Sequence, residues 1–117
     1  MRILHVDTGT GWRGGQQQVL WLLEGCRDLD IEQMLLAPAG SPLAERARQS
    51  GIPVTEISKR ALALDNLRAI RRLASDYDLA HAHDSHAHSL LCAASPFKSG
   101  AGPPLIVSRR VGFPVMR

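Results

Sequence analysis

The sequence predicts an α/β fold: a doubly wound parallel sheet of about five strands, in the order 3-2-1-4-5, with helices on both faces. Three observations predict it. Short apolar runs alternate with longer helix-patterned stretches along all 117 residues. Glycine, proline and serine punctuate the junctions. The chain opens on an apolar strand, a glycine-rich turn and a helix, in that order, and it carries no internal repeat or low-complexity segment.

Arg2-Ile3-Leu4-His5-Val6-Asp7 reads as the first, buried strand, and Gly9-Thr10-Gly11-Trp12-Arg13-Gly14-Gly15 as the turn after it. The helix that follows begins Gln16-Gln17-Gln18-Val19-Leu20 and runs to about Leu29. Ile31–Ala37 reads as the second strand. Pro38–Pro42 is then a turn in which Ser41 caps a short helix, Leu43–Gln49, with Pro42 at its first position and Gly51 just past its end. Ile52–Ile57 is the third strand, and Pro53 assigns it to a sheet edge. Asp65 is expected to cap a helix from Asn66 to Ser75, its apolar stripe formed by Leu67, Ile70, Leu73 and Ala74. Arg68, Arg71 and Arg72 fall on the other side of that helix and read as a solvated face. Leu79–His83 is the fourth strand, Ser85–Ser95 a helix ended by Pro96, Gly100–Pro103 a loop and Leu105–Ser108 the fifth strand.

Composition narrows the function. A hydrophobic fraction of 44% and a mean hydropathy of −0.09 describe a water-soluble domain. The net charge of +3 is small, the arginines are scattered and only 4% of residues are aromatic, so a nucleic-acid surface is poorly supported. Cys26 and Cys92 lie far apart in expected helices and read as two buried, reduced thiols. The first seven positions carry charged and polar residues, unlike a signal peptide, and no apolar stretch has the length of a membrane span. The expected compartment is the cytoplasm, with a peripheral membrane contact left open.

In a sheet wound this way, the ligand crevice lies at the carboxyl ends of strands 1 and 4, where the winding reverses. Two motifs fall there. Backbone N–H groups at Gly14 and Gly15, at the positive end of a helix, suit a phosphate, and Arg13 adds a cation beside them. Gly9-x-Gly11-x-x-Gly14 also matches the dinucleotide fingerprint, but the second strand ends Leu36-Ala37-Pro38, without the acidic residue that holds a ribose. A plainer reading makes the loop glycines a conformational need for positive φ. Whether Arg13, beside Trp12, stacks on a sugar ring or rests on the surface stays open.

The second motif is His81-Ala82-His83-Asp84-Ser85-His86-Ala87-His88. His81 and His83 point to one side of a strand, and His83 is nearer the crevice mouth. It is placed to bind polar substrate groups or to hold a proton, with Asp84 opening the loop beside it. Two other readings compete: hydrogen-bonding histidines at strand ends, and a metal site built on the His-x-His pair and a carboxylate. Arg109 and Arg110, ending strand 5, face the same rim, where one of them can pair with a phosphate or carboxylate.

Taken in order, these segments resemble the N-terminal domain of a GT-B glycosyltransferase of group 1 (family 4, retaining), half of a GT-B fold. The resemblance rests on Arg2-Ile3-Leu4-His5-Val6, Gly14-Gly15, Ser41-Pro42-Leu43-Ala44 and Gly51-Ile52-Pro53-Val54, and continues through Asp78–Asp84 and Ser108-Arg109-Arg110-Val111-Gly112-Phe113-Pro114. It implies a Rossmann-like, acceptor-side domain facing a separate donor domain across a cleft. It implies transfer of a sugar from a UDP-, GDP- or ADP-sugar to a hydroxyl with retained configuration, without a metal or other cofactor. Gly14 and Gly15 would approach the donor phosphates, and His83 would lie beside the transferred sugar as the catalytic group. The acceptor class is left open between sugar-phosphate, glycan and lipid.

Residues 1–117 have no counterpart of the donor domain, so the expectation is an acceptor-side part without turnover of its own, whose open fifth-strand edge pairs two copies. A non-catalytic Rossmann-like binding module and a metal-dependent hydrolase using the His-x-His pair are the alternatives. A receiver domain is disfavoured, because strand 3 ends Ile57-Ser58-Lys59 without an aspartate.

Overall fold

The computed structural model of this chain describes residues 1–94 and 102–108. Five strands form one sheet in the order β3-β2-β1-β4-β5, every neighbouring pair parallel. They are β1 (Arg2–Val6), β2 (Glu32–Pro38), β3 (Val54–Ile57), β4 (Leu79–Ala82) and β5 (Leu105–Val107). The helices are α1 (Gly14–Asp28), α2 (Pro42–Gln49), α3 (Leu64–Leu73) and α4 (Ser85–Ala93). This is the predicted order, and β3, preceded by Pro53, is an edge strand as expected.

Alternation along β1 divides the core in two. Leu4 and Val6 point to the face covered by α3 and α4, where they meet Leu36, Ile70, Ala80, Ala82, Leu90 and Leu91. The opposite face packs Leu35 and Ala37 under Val19, Leu20 and Leu23 of α1 and Leu43, Ala44 and Ala47 of α2. Ala80 and Ala82 of β4 join Ala87, Leu90 and Leu91 of α4 in the cluster around Leu4 and Val6.

Helix ends follow local chemistry. Ser41 accepts a hydrogen bond from Ala44 N–H at 3.3 Å, with Pro42 opening α2 as predicted. Gly51 takes φ of +77° past its end, and Gly51 N–H and Ile52 N–H close on Arg48 and Ala47 carbonyls at 3.0 and 2.9 Å. The same closure ends α1, except that Asp30 occupies the left-handed position at φ 57°.

Four expectations need correction. Helix α3 starts two residues early, at Leu64, and Asp65 does not cap it: the cap position is Ala63, without a side-chain bond. The neighbouring Asn66 turns inward instead and binds the Ser58, Arg60 and Ala61 carbonyls at 3.0–3.1 Å, while its Oδ1 accepts from Ser58 N–H at 2.7 Å. Asp65 is left in the first turn, where its charge complements the helix dipole. Strand β4 ends at Ala82, so His83 is the first residue beyond it. Cys92 is exposed on the outer side of α4, whereas Cys26 is buried and its thiol is pushed up by burial. Ser95, Pro96, Gly100, Ala101, Arg109, Arg110 and the following residues lie outside the described residues.

Candidate functional site

The carboxyl ends of β1 and β4 lie side by side, Val6 opposite Ala82. The loop from Thr8 to Arg13 and the segment His83–Asp84 therefore emerge on one rim. Gly9 and Asp7 shape the loop's start: Gly9 N–H donates to Asp7 Oδ1 at 2.8 Å. A methyl group on Gly9 would meet the movable end of the Gln16 side chain and stand 3.0 Å from Asp7 Oδ1, so these two side chains crowd the loop's start. Farther along, Trp12 packs on the α1–α2 core, and the Arg46 guanidinium lies 3.8 Å above its ring centroid. One face of Trp12 is thus taken by the chain itself, and Arg13 is exposed.

Helix α1 opens with its donors uncapped. Arg13 occupies the cap position and carries no acceptor group, so Gln16 reaches back to Arg13 N–H at 3.0 Å, and the first intrahelical bond runs from Gln17 N–H to Arg13 O. Gly14 and Gly15 form the first turn without a side-chain cap, Gly14 exposed and Gly15 half-buried. Gly11 and Gly14 have neither positive φ nor any atom within 4 Å of where a Cβ would stand. The conformational explanation for these glycines therefore fails.

Asp84 ties the two strand ends together. Its carboxylate accepts from Thr8 N–H at 2.8 Å and from Thr8 Oγ1 at 2.9 Å, and caps α4 through Ala87 N–H at 2.6 Å. Beneath this strap sits Asp7, only 2% exposed. Burial raises its carboxyl most, the Gly9 N–H pulls it back and the charge of Asp84 raises it again, leaving it at about 6.

A chain of buried polar groups runs under the same rim. Gln33 Nε2 donates to the Leu23 carbonyl at 2.6 Å, so its Oε1 faces His5 Nε2 at 3.1 Å. A carbonyl can only accept, and this fixes the amide; His5 Nε2 must then carry hydrogen. His5 is neutral, because burial first and the His81 charge second lower it to about 4 against the Gln33 bond. Its Nδ1 is therefore the acceptor for His83 Nε2–H, 3.0 Å away. In this tautomer the Nδ1 of a neutral His83 carries no hydrogen.

His5, His81 and His83 bring three ring nitrogens within 4.8 Å of one another, a donor set suited to a transition metal. The ring geometry is that of hydrogen bonding instead. His5 and His83 have centroids 5.2 Å apart, close to their nitrogen–nitrogen distance plus one ring diameter, so the bond runs along the line of both rings. The His81 ring lies over the face of His83 at 3.9 Å and bonds Ser108 Oγ through Nε2 at 2.6 Å. A shared ion would require these rings to turn. His86 is exposed and His88 half-buried on α4.

Of the site residues read from the sequence, Arg13, Gly14, Gly15, His83 and Asp84 share the rim. His83 is buried, 3% exposed, rather than open at the crevice mouth. Arg109 and Arg110 lie outside the described residues. Asp7, His5 and Gln33 join the site without a motif that marks them. The signal available was polarity inside strands that are otherwise apolar, at positions whose side chains share the α1 face. A separate cavity of about 410 Å³ lies at the opposite, amino-terminal rim, between Arg2, Arg27, Glu32, Gln33, Gly51 and Tyr77, so it shares Gln33 with the buried polar chain.

A parallel sheet of this winding, with an uncapped glycine turn at its switch point, defines the class of α/β domains that bind ligands at the carboxyl rim. Residues 13–115 match the family model of the glycosyl transferase 4-like domain, so the chain belongs to that family. Among solved structures, the fold is similar to Anabaena HepE (Alr3699) in complex with UDP and glucose, with a TM-score of 0.71, 20% identity and coverage of 92% of this chain and 29% of that one. It is also similar to HepE in complex with UDP, with a TM-score of 0.72, 20% identity and the same coverage of 92% and 29%. A glycosyltransferase from Rickettsia africae matches with a TM-score of 0.65 at 13% identity, covering 91% of this chain and 28% of that one. The chain thus spans less than a third of the length of these structures. No curated protein matches it significantly.

Proposed function

We propose that this chain is the acceptor-side domain of a retaining glycosyltransferase that moves a sugar from a nucleotide diphosphate donor to a hydroxyl acceptor. The observation that carries it is the turn at Gly14 and Gly15, which has no side-chain cap and leaves Gly14 exposed. Neither the fold's own contacts nor its dihedrals demand glycine at Gly14. Close approach of an anionic ligand to the backbone supplies the reason that the fold does not. As the sugar–phosphate bond breaks, negative charge grows on the leaving diphosphate, and fixed N–H donors with the Arg13 cation stabilise it. His83 forms the floor of the sugar site, where it binds polar groups or holds a proton, while Asp84 and Thr8 tie the rim together beside it. Arg109 or Arg110 provides a second cation for phosphate or carboxylate.

The donor is UDP-, GDP- or ADP-linked, and the UDP and UDP-glucose complexes of HepE favour the first. The acceptor is a sugar-phosphate, glycan or lipid hydroxyl, and the reaction uses no metal. No helix among the described residues is long and apolar enough to cross a membrane; the proposed compartment is the cytoplasm, with a peripheral membrane contact. β5 ends the described sheet, with Ile106 46% exposed, and two copies pair along this edge, an association that light scattering reads directly.

Turnover belongs to the acceptor and donor domains together. Incubated with radiolabelled UDP-, GDP- and ADP-sugars, the 117-residue chain alone is expected to show none. Transfer or hydrolysis by the isolated chain would overturn the acceptor-side assignment.

A further inference from the structure

The segment from Lys59 to Arg72 takes no part in the site above, yet it carries the most one-sided chemistry on the described surface. It holds five basic residues and a single acid, Asp65. Lys59, Arg60, Arg68, Arg71 and Arg72 are all exposed. Leu62 and Leu64 are exposed as well, at 58% and 59%, although large aliphatic side chains seldom face water so fully side by side. The one ion pair described here, Arg68 with Asp65 at 3.9 Å, is loose and solvated.

The arrangement is held in place. Asn66, 1% exposed, gathers the loop 58–61 onto the first turn of α3 through bonds to three carbonyls and one N–H. Ala63 N–H closes the loop on Arg60 O at 2.9 Å. On α3, Asn66 and Ile70 face the core, so Leu64, Arg68 and Arg71, spaced i, i+4 and i+7, form a stripe on the opposite face. The two leucines and the first two cations follow the carboxyl end of β3, on the same rim as the glycine turn.

We infer that this loop and helix face dock on an anionic phospholipid bilayer, the leucines entering the acyl boundary and the cations meeting the phosphates. Charge complementarity selects an anionic partner, and the leucines select a lipid one. Nucleic acid would gain nothing from exposed leucines, and residues 58–73 contain no aromatic side chain on which a base could stack. Docked this way, the rim with the glycine turn lies near the lipid surface. The bilayer contact itself stands on these surface residues; only its relevance to a lipid-borne acceptor rests on the transferase reading.

Vesicle sedimentation tests it. The chain is expected to bind vesicles of phosphatidylcholine mixed with phosphatidylglycerol and to leave pure phosphatidylcholine in solution. Each basic residue near such a surface contributes roughly five-fold to binding, so Arg71→Gln with Arg72→Gln weakens it about twenty-five-fold. Leu62→Ser with Leu64→Ser also weakens it at constant salt, while both double variants keep the parent's thermal melt and its response to UDP. Absence of binding to the anionic vesicles at low salt would overturn the inference. So would leucine variants that bind like the parent, or tighter binding to single-stranded RNA than to the vesicles. A loss of UDP binding with vesicle binding intact would instead count against the transferase reading.

Discussion

Replacing Asp84 by Ala lowers the unfolding free energy by about 3 kcal/mol. Two losses add. Removing an N-cap costs about 1 kcal/mol, and Ala87 N–H loses its 2.6 Å acceptor. Hydrogen bonds to a charged group contribute about 1.5–3 kcal/mol, and Thr8 loses its carboxylate partner at both N–H and Oγ1. A smaller gain opposes them, because the charge that raises the Asp7 carboxyl disappears. Asp84→Asn keeps an acceptor for one of these donors and should recover about half of the loss. Urea unfolding at pH 7 measures both variants. An Asp84→Ala variant within about 0.5 kcal/mol of the parent, the range of an ordinary surface substitution, would show that the strap between β1 and α4 does not hold the rim.

Asp7→Asn is expected to act in the opposite direction, stabilising the chain by about 2–3 kcal/mol at pH 8. The Asp7 carboxyl is raised from 3.8 to about 6 in the folded state. The stability it contributes is complete below pH 3.8 and is lost as pH rises through about 6, so at pH 8 the buried carboxylate is a net cost. Asparagine mimics the protonated carboxyl and keeps an acceptor for Gly9 N–H. His5 behaves in the converse manner: it falls from 6.5 to about 4, so its contribution is present above pH 6.5 and drains away as pH drops towards 4. Between about pH 4 and 6 the two slopes cancel in the parent protein. Asp7→Asn removes one of them and should expose a decline of stability over pH 6.5 to 4 that the parent lacks. Denaturant midpoints across this range read the effect, and a variant less stable than the parent at pH 8 would refute it. A carboxyl that costs stability beneath a ligand rim is the kind of residue expected at functional sites.

Much of the architecture could be read from local pattern. Ser41-Pro42 and Gly51 mark both ends of α2, and the apolar runs of β1, β2 and β4 stand out because parallel strands are buried on both faces. Helix α3 starts before its local sequence signal because the Asn66 side chain intervenes. Asp65 looks like a cap from its neighbours alone, but the loop before it is held by Asn66, and that clamp draws the helix start back to Leu64. Cys92 looked buried by residue type, yet its position on α4 turns it outward.

The site was legible in its backbone and less so in its side chains. Strand, glycine turn and helix in sequence locate the Gly14–Gly15 rim. The Gln33–His5–His83 chain depends on strand register, in which Ile3 stands opposite Gln33 and His5 opposite His81. That register brings together residues 28 and 78 positions apart. His83 then turns out to be a buried member of this chain, because His5, unremarked inside an apolar strand, offers it a partner.

Amide NMR of the ¹⁵N-labelled chain titrated with UDP asks most directly whether the glycine turn is the diphosphate contact. The expected result is a set of shifts concentrated on Arg13, Gly14, Gly15 and Gln16, with the amides of Arg27, Gly51 and Tyr77 at the opposite rim unmoved. Shifts centred on Arg27, Gly51 and Tyr77 while Gly14 and Gly15 stay still would contradict it.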